Sequence, residues 1–305
     1  MNKAVCICVP ARNEAARLPI LLGALAAQTY TGTIHVALCI NNSDDESASI
    51  AADLATHRGS RLNVRIDGCV LAPDEAHVGT ARRRAMHVGS DIVGDRGVLI
   101  STDADCRPPD GWIAANLAAM DAGADVVGGR IVLDNLEPVS MAVMSVVTQF
   151  DRYWAMVREI EDAIDPVPHD PSPRHGDHTG ASLAIGADMY HAIGGVPAIP
   201  CGEDRALVTA AVAAGARLVH PLPVWTRVSA RTEGRAAGGM ATSMAELADT
   251  INDGGAPRVA ALEHWARRAA WRREERRQKG ISAMLAHESR LPPMPKDMAL
   301  WDVVR

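Results

Sequence analysis

Residues 4–45 read AVCICVPARNEAARLPILLGALAAQTYTGTIHVALCINNSDD. Ala4 to Val9 is dense in Val, Ile and Cys and reads as a strand ended by Pro10. From Glu14 to Gln28, Leu18, Leu21, Leu22 and Leu25 recur at helical spacing. Ile34 to Ile40 is a second strand, and Ser43, Asp44 and Asp45 can cap the helix that follows. A strand, a helix and a strand in this order build a parallel pair with the helix packed on one face.

The same rhythm continues outward. A third strand near Leu62 to Val70 precedes a helix from about Val78 to Gly89. Gly97 to Thr102 is a fourth strand, followed by a helix from about Asp110 to Ala122 and a strand at Asp125 to Val132. Such alternation predicts a mostly parallel sheet covered by helices on both faces. Beyond it, Pro138 to Ile164 reads as one long helix, and Asp165 to Asp177 as a loop rich in Pro, His and Asp. Thr179 to Ile185 and Arg217 to His220 are further strands around a helix from about Glu203 to Gly215. Thr226 to Gly239 reads as a Gly-containing loop, and the tail from Gly238 onward as helical, ending in the Pro-rich stretch Pro292 to Pro295. There is no internal repeat.

The 305 residues are 48% hydrophobic, yet only ten are aromatic: six Trp, three Tyr and one Phe. The core is therefore aliphatic, suited to close helix-on-sheet packing. A charged fraction of 22% and a net charge of −6 argue against global disorder. The longest apolar stretches, such as Met141 to Val147, stop short of a membrane span, and Arg12, Asn13 and Glu14 interrupt any signal-peptide core. Cys6, Cys8 and Cys39 lie in apolar runs, and no CxxC pair occurs among the six cysteines, which predicts reduced thiols in the cytoplasm. Arg258 to Lys279 holds eight Arg or Lys against three Glu, a local +5 that leaves −11 on the rest. This stretch reads as a solvated helix face with Leu262, Trp265 and Ala269 turned inward, or as a contact with an anionic acceptor or with an anionic lipid surface, peripheral at the inner membrane face. Nucleic acid is not expected, because the remaining surface is acidic and no recognition motif occurs.

Ligands of open parallel sheets bind beyond the carboxyl ends of the strands. Three polar clusters fall there: Pro10-Ala11-Arg12-Asn13-Glu14, Asn41-Asn42-Ser43-Asp44-Asp45 and Thr102-Asp103-Ala104-Asp105. Neither GxGxxG nor GxxxxGK[ST] follows the first strand, so a nucleotide diphosphate needs another counter-charge. Asp103 and Asp105 can supply one through Mg2+ or Mn2+, which take one or two protein carboxylates together with phosphate oxygens.

The PARNE start, the acidic strand-end turn, the Asp103-Ala104-Asp105 triplet and the later Glu203-Asp204 resemble family 2 glycosyltransferases, over roughly residues 3 to 235. The resemblance implies the GT-A fold: a Rossmann-like α/β domain with a mostly parallel sheet flanked by helices, here with a helical C-terminal extension. It implies residues 1–133 as the nucleotide-sugar half, 134–237 as the acceptor and catalytic-base half, and 238–305 as the extension. By this match Asp105 is the direct metal ligand, and Asp103 and Ala104 contact the ribose or donor sugar. Pro10, Ala11, Arg12 and Glu14 line the nucleotide pocket, and Gly79, Ala81 and Arg83 fall in the segment over base and diphosphate. There is one departure. Asn41-Asn42-Ser43-Asp44 stands where the family usually has an Asp-Asp-Gly-Ser-like turn. An amide still pairs with a base edge, but the charge is lost, so uracil and guanine both remain open.

In the second half, Gly202-Glu203-Asp204 follows Gly194-Gly195 and resembles the family's acceptor-side segment. Inverting transfer needs a carboxylate base for the acceptor hydroxyl. Asp204 is assigned that role, with Glu203 binding acceptor or orienting it. Thr179 and Gly180 are placed near the donor sugar, His220 as a second metal ligand, and Arg231 and Arg235 on the diphosphate, as is Arg227 in the same segment. The acceptor is expected to be small or lipid-linked. Two other readings remain, a sugar-phosphate nucleotidyltransferase and a non-catalytic nucleotide-sugar-binding protein. The first lacks the basic Gly-rich loop it needs, and the second leaves three acids unexplained.

Overall fold

The computed structural model describes residues 3–56, 61–234 and 239–304. Strand and helix alternate through β1 (Val5–Ala11), α1 (Leu18–Ala26), β2 (Ile34–Asn41), α2 (Ser47–Ala55) and β3 (Leu62–Cys69). Next come α3 (Val78–Val93), β4 (Val98–Ser101), β5 (Cys106–Arg107), α4 (Trp112–Asp121), β6 (Val126–Gly128) and β7 (Arg130–Leu133). They are followed by α5 (Met141–Ile164), β8 (Leu183–Gly186), α6 (Ala187–Ala192), α7 (Glu203–Ala213), β9 (Leu218–Val219) and β10 (Trp225–Val228). The chain ends in α8 (Met240–Asn252), β11 (Arg258–Val259), α9 (Leu262–Lys279), α10 (Ile281–Glu288), β12 (Met298–Ala299) and α11 (Leu300–Val303). Two compact units result. One is the chain up to Asp134 with Gly176–Ser229; the other takes Asn135–His175, Ala230–Gly234 and the chain beyond the undescribed residues 235–238.

The first unit is built on a seven-stranded sheet in the order β3-β2-β1-β4-β8-β6-β9. Strands β3, β2, β1 and β4 are parallel, and β8 alone runs antiparallel to its neighbours. Both faces are buried through the central strands, as a parallel sheet requires, while edge strand β3 leaves Asn63 and Arg65 exposed. Val5, Ile7 and Val9 face a cluster with Leu18, Leu21, Leu25 and Trp112. Cys6 and Cys8 point the other way, toward Ala81, Ala85 and Met86 of α3. The cysteines act here as the small core side chains their sequence context predicts.

Three expectations need correcting. The first strand runs past Pro10 to Ala11, because beyond Cys8 it pairs with β2 alone and a missing N–H is tolerated at such an edge. The single strand expected over 125–132 is two. At Gly129 the chain crosses Ser182 so closely that a Cβ would lie 1.9 Å from the Ser182 hydroxyl oxygen. There β6 ends in the large sheet and β7 begins in a second, three-stranded sheet ordered β5-β10-β7. Third, the expected loop at 226–239 starts as strand β10, paired antiparallel to β5 and parallel to β7.

The second unit packs α5 against α9 around Val146, Tyr153, Val157, Val259 and Leu300. Six of the ten aromatic residues lie here, which leaves the first unit's sheet core largely aliphatic around Trp112 and Tyr190. Tyr153 donates to the Ala260 carbonyl at 2.8 Å and accepts from the Trp265 indole at 2.6 Å. On α9, Arg272 pairs with Glu161 and Glu288 at 2.7 Å each, Arg276 with Asp165, and Lys279 with Glu275 at 2.8 Å. Much of the basic stretch is thus answered by carboxylates of its own unit. Among the described residues no helix is long and apolar enough to cross a membrane.

Candidate active site

Beyond the carboxyl ends of β1 and β2, two turns fasten each other. Asn13, held at φ 54°, donates its backbone N–H to the Ser43 hydroxyl at 3.0 Å and accepts from the Asp44 N–H at 3.0 Å. The Glu14 N–H donates to Ser47 Oγ at 2.8 Å, and the Ala15 N–H to Asp45 at 3.0 Å. Pro10 and Ala11 are buried, Glu14 is 6% exposed, and Arg12 reaches out toward the Ala76 carbonyl. The Asn42 amide is committed to backbone: Nδ2 donates to the Leu71 carbonyl at 2.9 Å and Oδ1 accepts the Leu71 N–H at 3.1 Å. It shapes the turn, while Asn41, which donates to Asn42 at 3.3 Å, stands at the strand end itself.

The triplet and the later acidic pair meet at a residue that the sequence reading passed over. Arg82, 3% exposed on α3, donates Nε to Glu203 at 2.9 Å and Nη2 to Asp103 Oδ1 at 2.8 Å. Its Nη1 bonds Ser101 Oγ at 2.7 Å and the Gly180 carbonyl at 3.1 Å. Burial works against the Arg82 charge, and Asp103 and then Glu203 more than restore it, so its pKa lies above the usual arginine value. Helix phase explains the oversight. Ala81, Arg82, Ala85, Met86, Gly89 and Ser90 form the buried face of α3, whereas Arg83, the neighbour assigned to the nucleotide, is exposed. The spacing i, i+4, i+8 from Arg82 through small and apolar residues is the signal that marks it.

Gly79, also expected at the nucleotide, sits where α3 passes under the 196–202 loop. A Cβ there would lie 2.1 Å from the Ile199 carbonyl oxygen. Gly79→Ala should therefore displace that backbone and cost about 2 kcal/mol or more of unfolding free energy, read by urea denaturation. An unchanged midpoint would mean that the loop yields freely.

Asp204 lies in the first turn of α7. Its Oδ2 accepts the Gly180 N–H at 2.7 Å, and Oδ1 accepts the N–H of Arg205 at 2.7 Å. Next to it, the Thr179 hydroxyl oxygen is buried with no hydrogen-bond partner among the described residues. His178 Nδ1 stands 3.2 Å from His220 Nε2 and 3.1 Å from the Gly176 carbonyl. Burial first, and His220 second, push His178 down to about 4, so it is neutral at pH 7.

Candidate metal-ligating atoms within 4.8 Å of one another come from Asp103, Asp105 and Cys106, a group that does not bring in His220. Carboxylate oxygens at Asp103 and Asp105 fit a hard divalent cation. Cys106 suits it less, since a hard cation prefers oxygen ligands to a soft sulfur. Ala104 is buried between the two acids. Arg231 belongs to the second unit, and Arg235 lies outside the described residues.

Residues 6–163, a little over half of the chain, match the family described as glycosyl transferase family 2. No curated protein sequence matches the chain. In structure it is similar to TarS 1-349 of S. aureus in complex with UDP-GlcNAc, with a TM-score of 0.55 at 15% identity over 92% of this chain and 75% of that one. It is also similar to the mannosyltransferase PcManGT from Pyrobaculum calidifontis in complex with GDP-Man and Mn2+, with a TM-score of 0.55 at 16% identity over 95% and 80%. At these identities the likeness establishes the fold, a mainly parallel sheet flanked by helices.

Proposed function

The chain belongs to glycosyl transferase family 2, and from that premise we propose that it moves a sugar from a UDP- or GDP-linked donor to an acceptor hydroxyl, with inversion and with the help of Mn2+ or Mg2+. The observation that carries this reading is the Arg82 bridge. It ties Asp103 of the triplet to Glu203, the immediate neighbour of Asp204, so that acids a hundred residues apart in sequence form one site.

In this reading residues 1–133 hold the donor. Pro10, Ala11 and Glu14 wall the nucleoside pocket, Asn41 meets the base edge, and Arg12 and Arg83 answer phosphate charge. Asp105, with Asp103, would hold the cation. Bound there, it would supply positive charge to the departing diphosphate. His220, whose Nε2 is engaged with His178, would join through its other ring nitrogen or by releasing that contact. Residues 134–237 select the acceptor and hold the base. Thr179 Oγ1, lacking a partner among the described residues, and Gly180 border the sugar. Asp204 takes the proton of the attacking hydroxyl. Its two backbone bonds fix the carboxylate plane, and each oxygen keeps a lone pair for that proton. Glu203 is nearly fully buried and satisfied by Arg82, which suits it to position Asp204 and not to touch acceptor. The extension, 238–305, shares a small core with α5, and its paired arginines favour a structural role over a lipid surface. Six free cysteines fit the cytoplasm.

Thermal denaturation with UDP, GDP and their sugars, with and without Mn2+, tests the proposal. One base should stabilise the chain in a metal-dependent way, by about 2.7 kcal/mol at a hundredfold excess over Kd. Asp105→Asn should abolish that metal dependence. A chain that ignored every nucleotide with Mn2+ present would sink the donor site.

A further inference from the structure

Strand β10 sets an arginine opposite an arginine. Arg227 pairs with Arg107 across the antiparallel ladder to β5, and like charges directly opposed destabilise a sheet. The alternation is fixed by burial. Cys106, Thr226 and Val228 point into the core, so Arg107, Trp225 and Arg227 share the sheet's other face, half-buried. Arg107 is answered by Asp134, Nε to Oδ2 at 2.7 Å with a second bond beside it. Arg227 is not. Its guanidinium lies 4.6 Å over the Trp225 ring, and among the described residues no carboxylate or carbonyl takes its N–H groups. A guanidinium held flat on an indole keeps its N–H edge free, the shape that grips a carboxylate or phosphate with two bonds.

Topology says which anion. The nucleoside pocket lies at the ends of β1 and β2, and the Asp103–Asp105 triplet follows β4. β10 is joined through β7 to the β6 side of the sheet, and through Arg107 to the residue two beyond Asp105. In strand order Arg227 then lies across the metal triplet from the nucleoside end of the sheet, which on the donor reading is the acceptor's side. Resting on the donor reading above, we propose that Trp225 and Arg227 form an acceptor subsite, and that the acceptor carries an oxyanion, carboxylate or phosphate, near the hydroxyl that receives the sugar.

Calorimetric titration of the full chain, saturated with Mn2+ and UDP or GDP, tests this with glucuronate and glycerol 3-phosphate as probes and glucose as neutral control. One of the two anions should bind, which tells carboxylate from phosphate, and glucose should not. Arg227→Gln should weaken that anion about tenfold or more and leave nucleotide affinity within about twofold. Arg227→Lys, which keeps charge but loses the paired edge, should fall between. Three results overturn the proposal: no anion binding to wild type, equal binding to Arg227→Gln, or lost nucleotide affinity in that variant, which would place Arg227 on the donor diphosphate. If wild type binds no nucleotide, the donor reading fails by itself, and the same titration of the unliganded chain still decides whether Arg227 holds an anion.

Discussion

Arg82→Met should cost more stability than any other single change in the site, about 3–5 kcal/mol in urea unfolding, and should abolish transfer. Removing one partner of a buried ion pair leaves the other charge without compensation, and that residue is the larger part of the loss. Glu203 is the partner that matters, since only 4% of its side chain is exposed, against 37% for Asp103. The Asp103 half of the bridge is partly screened and contributes less. A double variant separates the causes. Arg82→Met with Glu203→Gln should recover part of the stability, because the buried charge is gone, but none of the activity, because Asp103 and the α7 start lose their common anchor. An Arg82→Met protein as stable as wild type would show that the bridge is incidental. A double variant that regained transfer would show that positioning through Arg82 is not needed.

The contrast between Arg82 and Arg83 shows where sequence reasoning reaches its limit. Strand and helix alternation, and the polar clusters at three strand ends, were legible because each rests on local pattern: Val and Ile runs, leucine spacing, capping acids. The outcome is a 3-2-1-4 order in which the turns after β1 and β4 flank the point where the chain reverses direction across the sheet. Residues 82 to 84 are three arginines in a row, and only the phase of α3 tells which one turns inward. That phase is set by the small residues Ala81, Ala85 and Gly89 meeting Cys6 and Cys8, a contact between distant segments. The Asn42 amide was hidden for a similar reason. Its partner, the Leu71 backbone, follows β3 and becomes a neighbour only when β2 and β3 pair. Strand β10 had four residues and one buried face, too short for alternation to declare it. Its evidence is the partner strands β5 and β7, themselves of two and four residues.

Asp204→Asn should lower kcat between about 10²- and 10⁴-fold, the usual worth of a positioned proton acceptor, while nucleotide-dependent stabilisation by Mn2+ stays at the wild-type level. The substitution is nearly isosteric, so its structural cost can be judged from the two bonds the carboxylate accepts. The amide oxygen can keep the Gly180 N–H, while the NH2 group must face the Arg205 N–H, whose bond is exposed and cheap to lose to water. Folding should therefore suffer by no more than about 1 kcal/mol. This separates Asp204 from its neighbour. Glu203→Gln weakens a buried charge-assisted bond to Arg82 and should lower stability and activity together, whereas Asp204→Asn should lower activity alone. If Asp204→Asn turned over at the wild-type rate, the base would have to be sought elsewhere. If it lost nucleotide binding as well, Asp204 would belong to the donor pocket and not to proton transfer.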